Sequence, residues 1–569
     1  MQRISNDSVT AATGEVTEAS RPRRFAVRRS VLAWAGGLLL AAAALFTLYL
    51  RQSLVAPFNA DGASMILQAQ AMLHGNVLLK GWWVADVSFY TTELPEYMIV
   101  TAIRGLRPDV VHISGALTYT LTVLLGAMLG RGRAKGREGL VRALVAGGIM
   151  LTPSVLGGTE VFLENPDHAG TAVPILALFL LIDRASPEDP GEGYGRWWVP
   201  LAACVVLAAV QIGDQLGLVA ATAPIAGVAA LRLVMLALRR RPLREYWYDA
   251  ALLVAAAASY ELANASLRAI RKFGGYYPAS LPKQLIAPRS EIRGNLHVML
   301  QAIQLLFGAN YQGRHPQLNL SAELHWVGLG LATAGLAVAI VTFFFSRTDR
   351  VSQIVAVATI CTLIAGVFGT LIQSLAYAHE VAILLPLGAV LAGRMLPPLL
   401  PARRWDAGGA RRATTGVFAV LGVWLAALLA ALCFAASWAP LGPPEKQLAT
   451  WLASHHYTEG LAEYWQANSS TVVTGGQVLV APVTPVSLDV RHWEASSAWY
   501  NPAQSRADFV IAAIDPSVPP GGLSIPTVIK KFGKPAHEYT VGSYVVMVYD
   551  YNLLTRLSDR AFPGVPRSG

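Results

Sequence analysis

Charge is scarce in this chain. Only 14% of its 569 residues are Asp, Glu, Lys or Arg, against 54% hydrophobic residues and a mean hydropathy of +0.44. A soluble protein carries about 25% charged residues, so a single soluble globule is excluded. Cysteine is nearly absent. Cys204, Cys361 and Cys433 all fall inside apolar runs, which excludes a disulfide framework and reads as small core side chains. No Cys pair, H-x-x-H or EF-hand spacing occurs, so no dedicated metal motif is present. No repeat of fixed period is visible. The net charge of +10 comes from basic residues spread over separate loops rather than one face, which argues against nucleic acid as a partner.

Long apolar runs dominate instead. About eleven are read, near 30–50, 110–130, 140–158, 168–183, 197–213, 215–238, 249–265, 323–345, 352–373, 380–396 and 414–437. Most are long enough to cross roughly 30 Å of hydrocarbon. Every backbone group must be satisfied internally there, so they should be helices. Basic residues punctuate every second connection: Arg21–Arg29 before the first run, RGRAKGRE (131–138), RRRPLRE (239–245), Arg347 with Arg350, and Arg403 to Arg412. By the positive-inside rule these connections are cytoplasmic. The expected layout is a cytoplasmic disordered leader (1–28), a transmembrane domain (29–438) with outer loops 51–109 and 266–322, and an extracytoplasmic soluble domain (439–569). The first run is read as an uncleaved anchor of a multi-pass plasma-membrane protein. The soluble domain reads as small α/β or α+β, from strand-like runs 471–483, 507–514 and 539–551. Gly475-Gly476 reads as a hairpin turn.

On this topology Asp61, Glu93, Glu96, Glu164, Asp167 and Asp214 all fall at span ends on the outer side. Carboxylates at the edge of hydrocarbon are costly without a partner or a task. Asp61 opens the run SMILQAQAMLHG, whose apolar spacing suggests an interfacial helix; it serves either as that helix's N-cap or as a functional acid. Glu93 and Glu96 flank Leu94-Pro95, among Trp82, Trp83, Phe89, Tyr90 and Tyr97. Lys80 is a candidate phosphate partner or a headgroup anchor. Glu164, Asp167 and His168 form a tight turn before an apolar helix, where Asp167 also fits a cap. The long outer segment carries Lys272, Lys283, Arg289 and Arg293, candidates for phosphate or anionic-lipid contact. Tyr377, His379 and Glu380 stand at the same surface.

These motifs resemble the GT-C glycosyltransferases, in particular the branch of lipid A aminoarabinose transferases and protein O-mannosyltransferases. There an Asp begins the first outer loop, a Glu-Pro motif of the E-K-P-P type follows about thirty residues later, and a second Asp opens the fourth span. Asp61, TTELPEY and NPDHAG stand in that order here. Two departures are evident: Gly62 replaces the Glu that many relatives carry after the Asp, and Leu94 replaces the basic residue after the Glu.

The resemblance implies a polytopic helical fold and an inverting transfer from a polyprenyl-phosphate sugar. The acceptor would be a cell-envelope glycan, lipid or protein at the outer face, and membrane lipids would surround the chain. Asp61, Asp167 and Glu93 are the expected catalytic carboxylates. Glu96, Lys80, Glu164, His168, Lys272, Lys283, Arg289, Arg293, Tyr377 and His379 are the expected substrate-binding residues. Some relatives use a divalent ion, for which Asp61, Asp167 and His168 are candidate ligands, and no cofactor is assigned. The alternatives are a lipid-linked sugar flippase and a non-catalytic anchor for the C-terminal domain.

Overall fold

A computed structural model describes residues 22–155, 157–164, 168–186, 196–279, 286–311, 319–344, 349–370, 372–399 and 411–558. Asp167, Lys283 and most of the polar leader lie outside the described residues. The chain divides into two compact units, Met1–Leu45 and Phe46–Gly569. The account below concerns the second.

Helices occupy all eleven positions read from the apolar pattern. They are α1 (Pro22–Ser53), α4 (Asp109–Arg131), α5 (Gly136–Met150), α6 (Ala172–Ala185), α7 (Trp198–Gly213), α8 (Ala223–Leu238), α9 (Trp247–Lys272), α11 (Asn319–Thr342), α12 (Arg350–Phe368), α13 (Leu384–Met395) and α14 (Arg411–Ala436). Between them lie the short α2 (Ala60–Leu73), α3 (Leu94–Arg104) and α10 (Ile292–Leu306). Seven described helices are long and apolar enough to cross a membrane. An eighth arises if Leu375–Val381 and Leu384–Leu399, bent by 52°, count as one span. Helices α5, α6 and α7 are shorter, at 15, 14 and 16 residues. Pro174 and Pro200 sit in the first turns of α6 and α7, where a missing N–H costs nothing.

Helix α2 differs from the interfacial helix expected there. Ala60, Gly62, Ala63, Ser64, Met65, Ile66, Leu67, Gln68, Ala69 and Met72 are all buried, so no broad face is left for lipid. It packs against α3 and against α16 (Tyr464–Val473), which follows α15 (Lys446–Ser454) in the C-terminal region. Gly62 explains the first departure in the motif. A Cβ there would sit 2.6 Å from Val111 Cγ2 on α4, so the close α2–α4 packing leaves no room for a longer side chain.

The C-terminal region is α+β. Its main sheet runs β4-β3-β6-β9-β8, built from β3 (Glu459–Ala462), β4 (Leu479–Pro482), β6 (Phe509–Ala513), β8 (His537–Val541) and β9 (Tyr544–Val548). β7 (Leu523–Ser524) adds to β6, and α17 (Ile525–Phe532) follows it. Strands β3, β4 and β6 pair in parallel, and α16 supplies the β3-to-β4 crossover. The hairpin expected at Gly475-Gly476 is therefore not present. Both glycines have positive φ, 64° and 81°, and their N–H groups bond to Val472 O and Thr471 O. They terminate α16, the commonest use of a left-handed glycine after a helix.

A second, three-stranded sheet joins distant parts of the chain. β1 (Trp82–Val84) pairs in parallel with β2 (Tyr277–Pro278) and antiparallel with β5 (Ala495–Ser496). The first loop, the segment after α9 and the C-terminal region thus share one sheet.

Candidate active site

Two groups of ionisable side chains lie at the same set of helix ends. The first centres on Asp61. The N-cap of α2 is Asn59, whose Oδ1 accepts from Gly62 N at 3.0 Å, so Asp61 is not the cap. Tyr464 Oη donates to Asp61 Oδ1 at 2.5 Å and also touches Glu494 Oε2. Asn468 Nδ2 reaches Ser64 Oγ at 2.7 Å and Glu494 O at 3.1 Å, fastening α16 to α2. Arg491 stacks over the Tyr464 ring, 4.9 Å from its centroid, and bonds Glu463 Oε1 at 3.0 Å. Burial raises the proton affinity of Asp61, against the hydrogen bond from Tyr464 and the positive charge of Arg491. Glu164, in the π-turn Glu160–Glu164, is pushed up to about 8 by burial, with added repulsion from Glu160 and Asp61.

The second group centres on His168. Its Nδ1 meets Asp214 Oδ2 at 2.9 Å, and its Nε2 lies 3.5 Å from Glu380 Oε2. Asp214 is fixed by Thr171 Oγ1 at 2.7 Å and Leu216 N at 2.8 Å. Burial pushes Asp214 up, but the charge of His168 and these hydrogen bonds prevail and hold it below its ordinary value. The His379 ring stacks on His168 at 5.7 Å, and Phe89 meets it edge-on at 5.2 Å. His168 (φ 58°) and Phe89 (φ 48°) both hold left-handed backbone, a strain that persists where surroundings impose it and that gathers at working sites. Helix α6 begins only at Ala172, later than the apolar run suggested, because residues 168–171 form this turn.

Glu93 is buried beside the same turn. A Cβ on Gly170 would sit 2.5 Å from Glu93 Cγ, so that glycine makes room for the carboxylate, which Thr92 Oγ1 also contacts. Glu96 turns instead to α4, accepting from Thr118 Oγ1 at 2.7 Å, and burial pushes it up to about 7. Glu93 and Glu96 stand at the start of α3, with Pro95 in its first turn, so the motif is a helix start.

The expected basic residues are spread more widely. Lys80, Lys272, Arg289 and Arg293 are exposed, at the first loop, the end of α9 and the approach to α10. Tyr377 is 45% exposed at a kink in the 3-10 turn Leu375–Val381. For a divalent ion the structure brings together a set other than Asp61, Asp167 and His168. His168, His379 and Glu380 offer ligand atoms within 4.8 Å of one another. Ligands of a tetrahedral zinc ion with bonds of about 2.0–2.1 Å stand roughly 3.3 Å apart, close to the 3.5 Å between His168 Nε2 and Glu380 Oε2. Asp214 on the other nitrogen supplies the orienting carboxylate such a ligand normally has. Glu494 and Arg491 were not legible as site residues, because only the fold carries them to Asp61.

The described helices and the C-terminal sheet are similar in fold to solved membrane-protein structures. The apo crystal structure of ArnT from Cupriavidus metallidurans matches with a TM-score of 0.55 over 93% of this chain and 100% of that one, at 12% identity. The ArnT structure bound to undecaprenyl phosphate matches at 0.50 over 93% and 99%, at 11% identity. The apo oligosaccharyltransferase of Archaeoglobus fulgidus matches at 0.44 over 84% and 69%, at 12% identity. No family model and no curated protein sequence matches the chain.

Proposed function

We propose that this chain is an integral-membrane glycosyltransferase that moves a sugar from a polyprenyl-phosphate donor to an acceptor hydroxyl at the outer face of the plasma membrane. The observation that carries the reading is the gathering of Asp61, Glu93, Glu164 and the His168–Asp214 pair at one end of the bundle. The fold around them is one that, in ArnT, binds undecaprenyl phosphate.

Asp61 is the general base. The acceptor oxygen forms a bond to the anomeric carbon, and the carbon–phosphate oxygen bond breaks with its electron pair on the phosphate. The acceptor proton goes to Asp61. A single displacement of this kind inverts the anomeric centre. A carboxyl whose proton affinity is raised by burial is a stronger base than an exposed one, provided it is ionised at working pH. Glu93 and Asp167 are further catalytic carboxylates in this reading. Lys80, Lys272, Lys283, Arg289 and Arg293 are the cations that meet the donor phosphate.

The flippase reading is less well supported. Transport sites usually lie near the bilayer midplane, whereas these acids stand at helix ends, and the opposite ends are closed by buried ion pairs. The purified protein is to be incubated with radiolabelled polyprenyl-phosphate sugars, wild type beside Asp61→Asn. Donor turnover should fall by about 10³-fold or more in the variant, on the scale expected of a lost general base. Full turnover by Asp61→Asn would remove Asp61 from the mechanism.

A further inference from the structure

The phenol of Tyr464 stands between two carboxylates, Asp61 on α2 and Glu494 just before β5. Tyr464 and Glu494 are withdrawn from water, 1% and 4% exposed, and Asp61 is half-buried. A phenol has one proton and can donate to one of the two acids only. The other contact is a hydrogen bond only if that acid carries a proton and donates to the phenol oxygen. Two ionised carboxylates on one buried oxygen would repel each other, as paired acids in a shared site do. One proton shared between Asp61 and Glu494, with Tyr464 as the bridge, would relieve that repulsion.

We propose that the C-terminal region completes the active site by this bridge, with Tyr464 and Glu494 as positioning residues that decide whether Asp61 is ionised. The proposal rests on the reading of Asp61 as the base. Two arrangements have the same total charge. In one, Glu494 keeps the proton, donates it to the phenol oxygen, and Tyr464 donates to ionised Asp61. In the other, Asp61 donates to the phenol and Tyr464 donates to ionised Glu494. Passing between them moves two protons along one line, breaking and forming two O–H bonds with no change in net charge. Only the first arrangement leaves Asp61 able to accept a proton from an acceptor hydroxyl.

Several other charged groups bear on the balance. Arg491 lies over the Tyr464 ring and bonds Glu463, which is on the loop before α16. Glu164 faces Asp61 from the π-turn with Glu160 behind it. Ser64, on Asp61's own helix, lies 3.4 Å from the phenol oxygen. A purely structural bridge would only pack α16 on α2. A bridge that sets the charge of Asp61 makes two substitutions act in opposite directions on the same quantity.

Tyr464→Phe removes a hydrogen bond to ionised Asp61, so the acid limb of the pH–rate profile moves to higher pH and turnover near neutrality falls roughly 10- to 100-fold. Glu494→Gln cannot ionise and can still donate an N–H to the phenol, so it fixes the first arrangement. The acid limb then moves to lower pH. Binding of undecaprenyl phosphate, measured alongside, reports that both variants are folded. Unmoved or parallel acid limbs in the two variants, with Asp61→Asn inactive, would overturn the bridge and leave the base in place. Activity retained in Asp61→Asn would instead overturn the base.

A second measurement needs no turnover. Infrared difference spectra at neutral pH should show a protonated carboxyl band in wild type. Glu164 and Glu96 add to that band in both proteins, so in Glu494→Gln it should shrink by one carboxyl and not vanish. Identical spectra in the carboxyl region would also overturn the proposal.

Discussion

The two ends of the helix bundle carry the same kinds of residues and treat them differently. At one end Asp183, Asp249 and Asp349 are each matched to arginine. Arg394 Nη2 bonds Asp183 at 2.6 Å and Asp349 at 2.8 Å, while Arg394 Nη1 takes the Leu129 carbonyl at 2.7 Å. Arg350 grips Asp249 with two bonds of 2.8 and 3.0 Å and reaches Ser186 at 2.7 Å. At the other end, about 17 Å away along α6, Asp61 is met by a phenol, Glu93 and Glu96 by threonines, and Asp214 by histidine and threonine. Acids matched to guanidinium groups are fixed in their charged form. Acids matched to neutral hydroxyls keep an adjustable proton, which acid–base chemistry requires, whereas Asp214, held low by His168, stays ionised.

The sharpest way to break this contrast is to remove the shared cation. Arg394→Met leaves Asp183 buried without its guanidinium partner and frees one side of Asp349. Loss of one partner from a buried pair costs about 3–5 kcal/mol. The midpoint of thermal unfolding in detergent should fall markedly, and donor turnover per folded molecule should stay near wild type. An unchanged midpoint would mean that this end is not the lock the geometry describes.

Glu164→Gln should act more weakly and with the opposite sign. Burial raises Glu164 to about 8 in the folded protein, from an ordinary value of 4.5. Between those values the folded chain holds a proton that the unfolded chain has lost, so stability falls as pH rises from about 4.5 to about 8. Above that window the wild type carries a buried, repelled carboxylate. Glutamine removes the charge, so stability above about pH 8 should rise by about 1–3 kcal/mol, and the slope through the window should flatten. Equal slopes in the two proteins would show Glu164 to be better solvated than its burial implies.

The contrast between the two ends was half legible in sequence. Apolar runs located every long helix, because hydrocarbon-length periodic segments leave few alternatives. The acids read onto one side, Asp61, Glu93, Glu164 and Asp214, do lie at one set of helix ends. Partners were harder. Arg350 reads as an ordinary loop charge, yet it is buried on Asp249, 101 positions away. Tyr464 meets Asp61 across 403 positions. Local pattern misled at α2 and at Gly475-Gly476, and it left the role of Asp61 open. Asp61 resembles a cap, but Asn59 lies two residues earlier with the extended backbone a cap needs. The apolar spacing of α2 implied a lipid-facing helix, but the C-terminal helix α16 covers it. What a helix face meets is a tertiary fact, and periodicity reports only that one face is apolar.

The smallest expected effect tests whether a divalent ion serves at the His168 group as arginine serves at the far end. His168, His379 and Glu380 present two imidazoles and a carboxylate, a ligand set that suits zinc with a position left open for a further oxygen. A ligand that binds only the folded state stabilises it, by about 1.4 kcal/mol at ten times its dissociation constant. Zinc should therefore raise the unfolding midpoint of wild type slightly. It should do so less in His379→Ala, which keeps the His168–Asp214 pair and loses one ligand. The same shift in both proteins would place any bound zinc elsewhere. No shift in either would leave His168, already paired with Asp214, as the cation this end provides for itself.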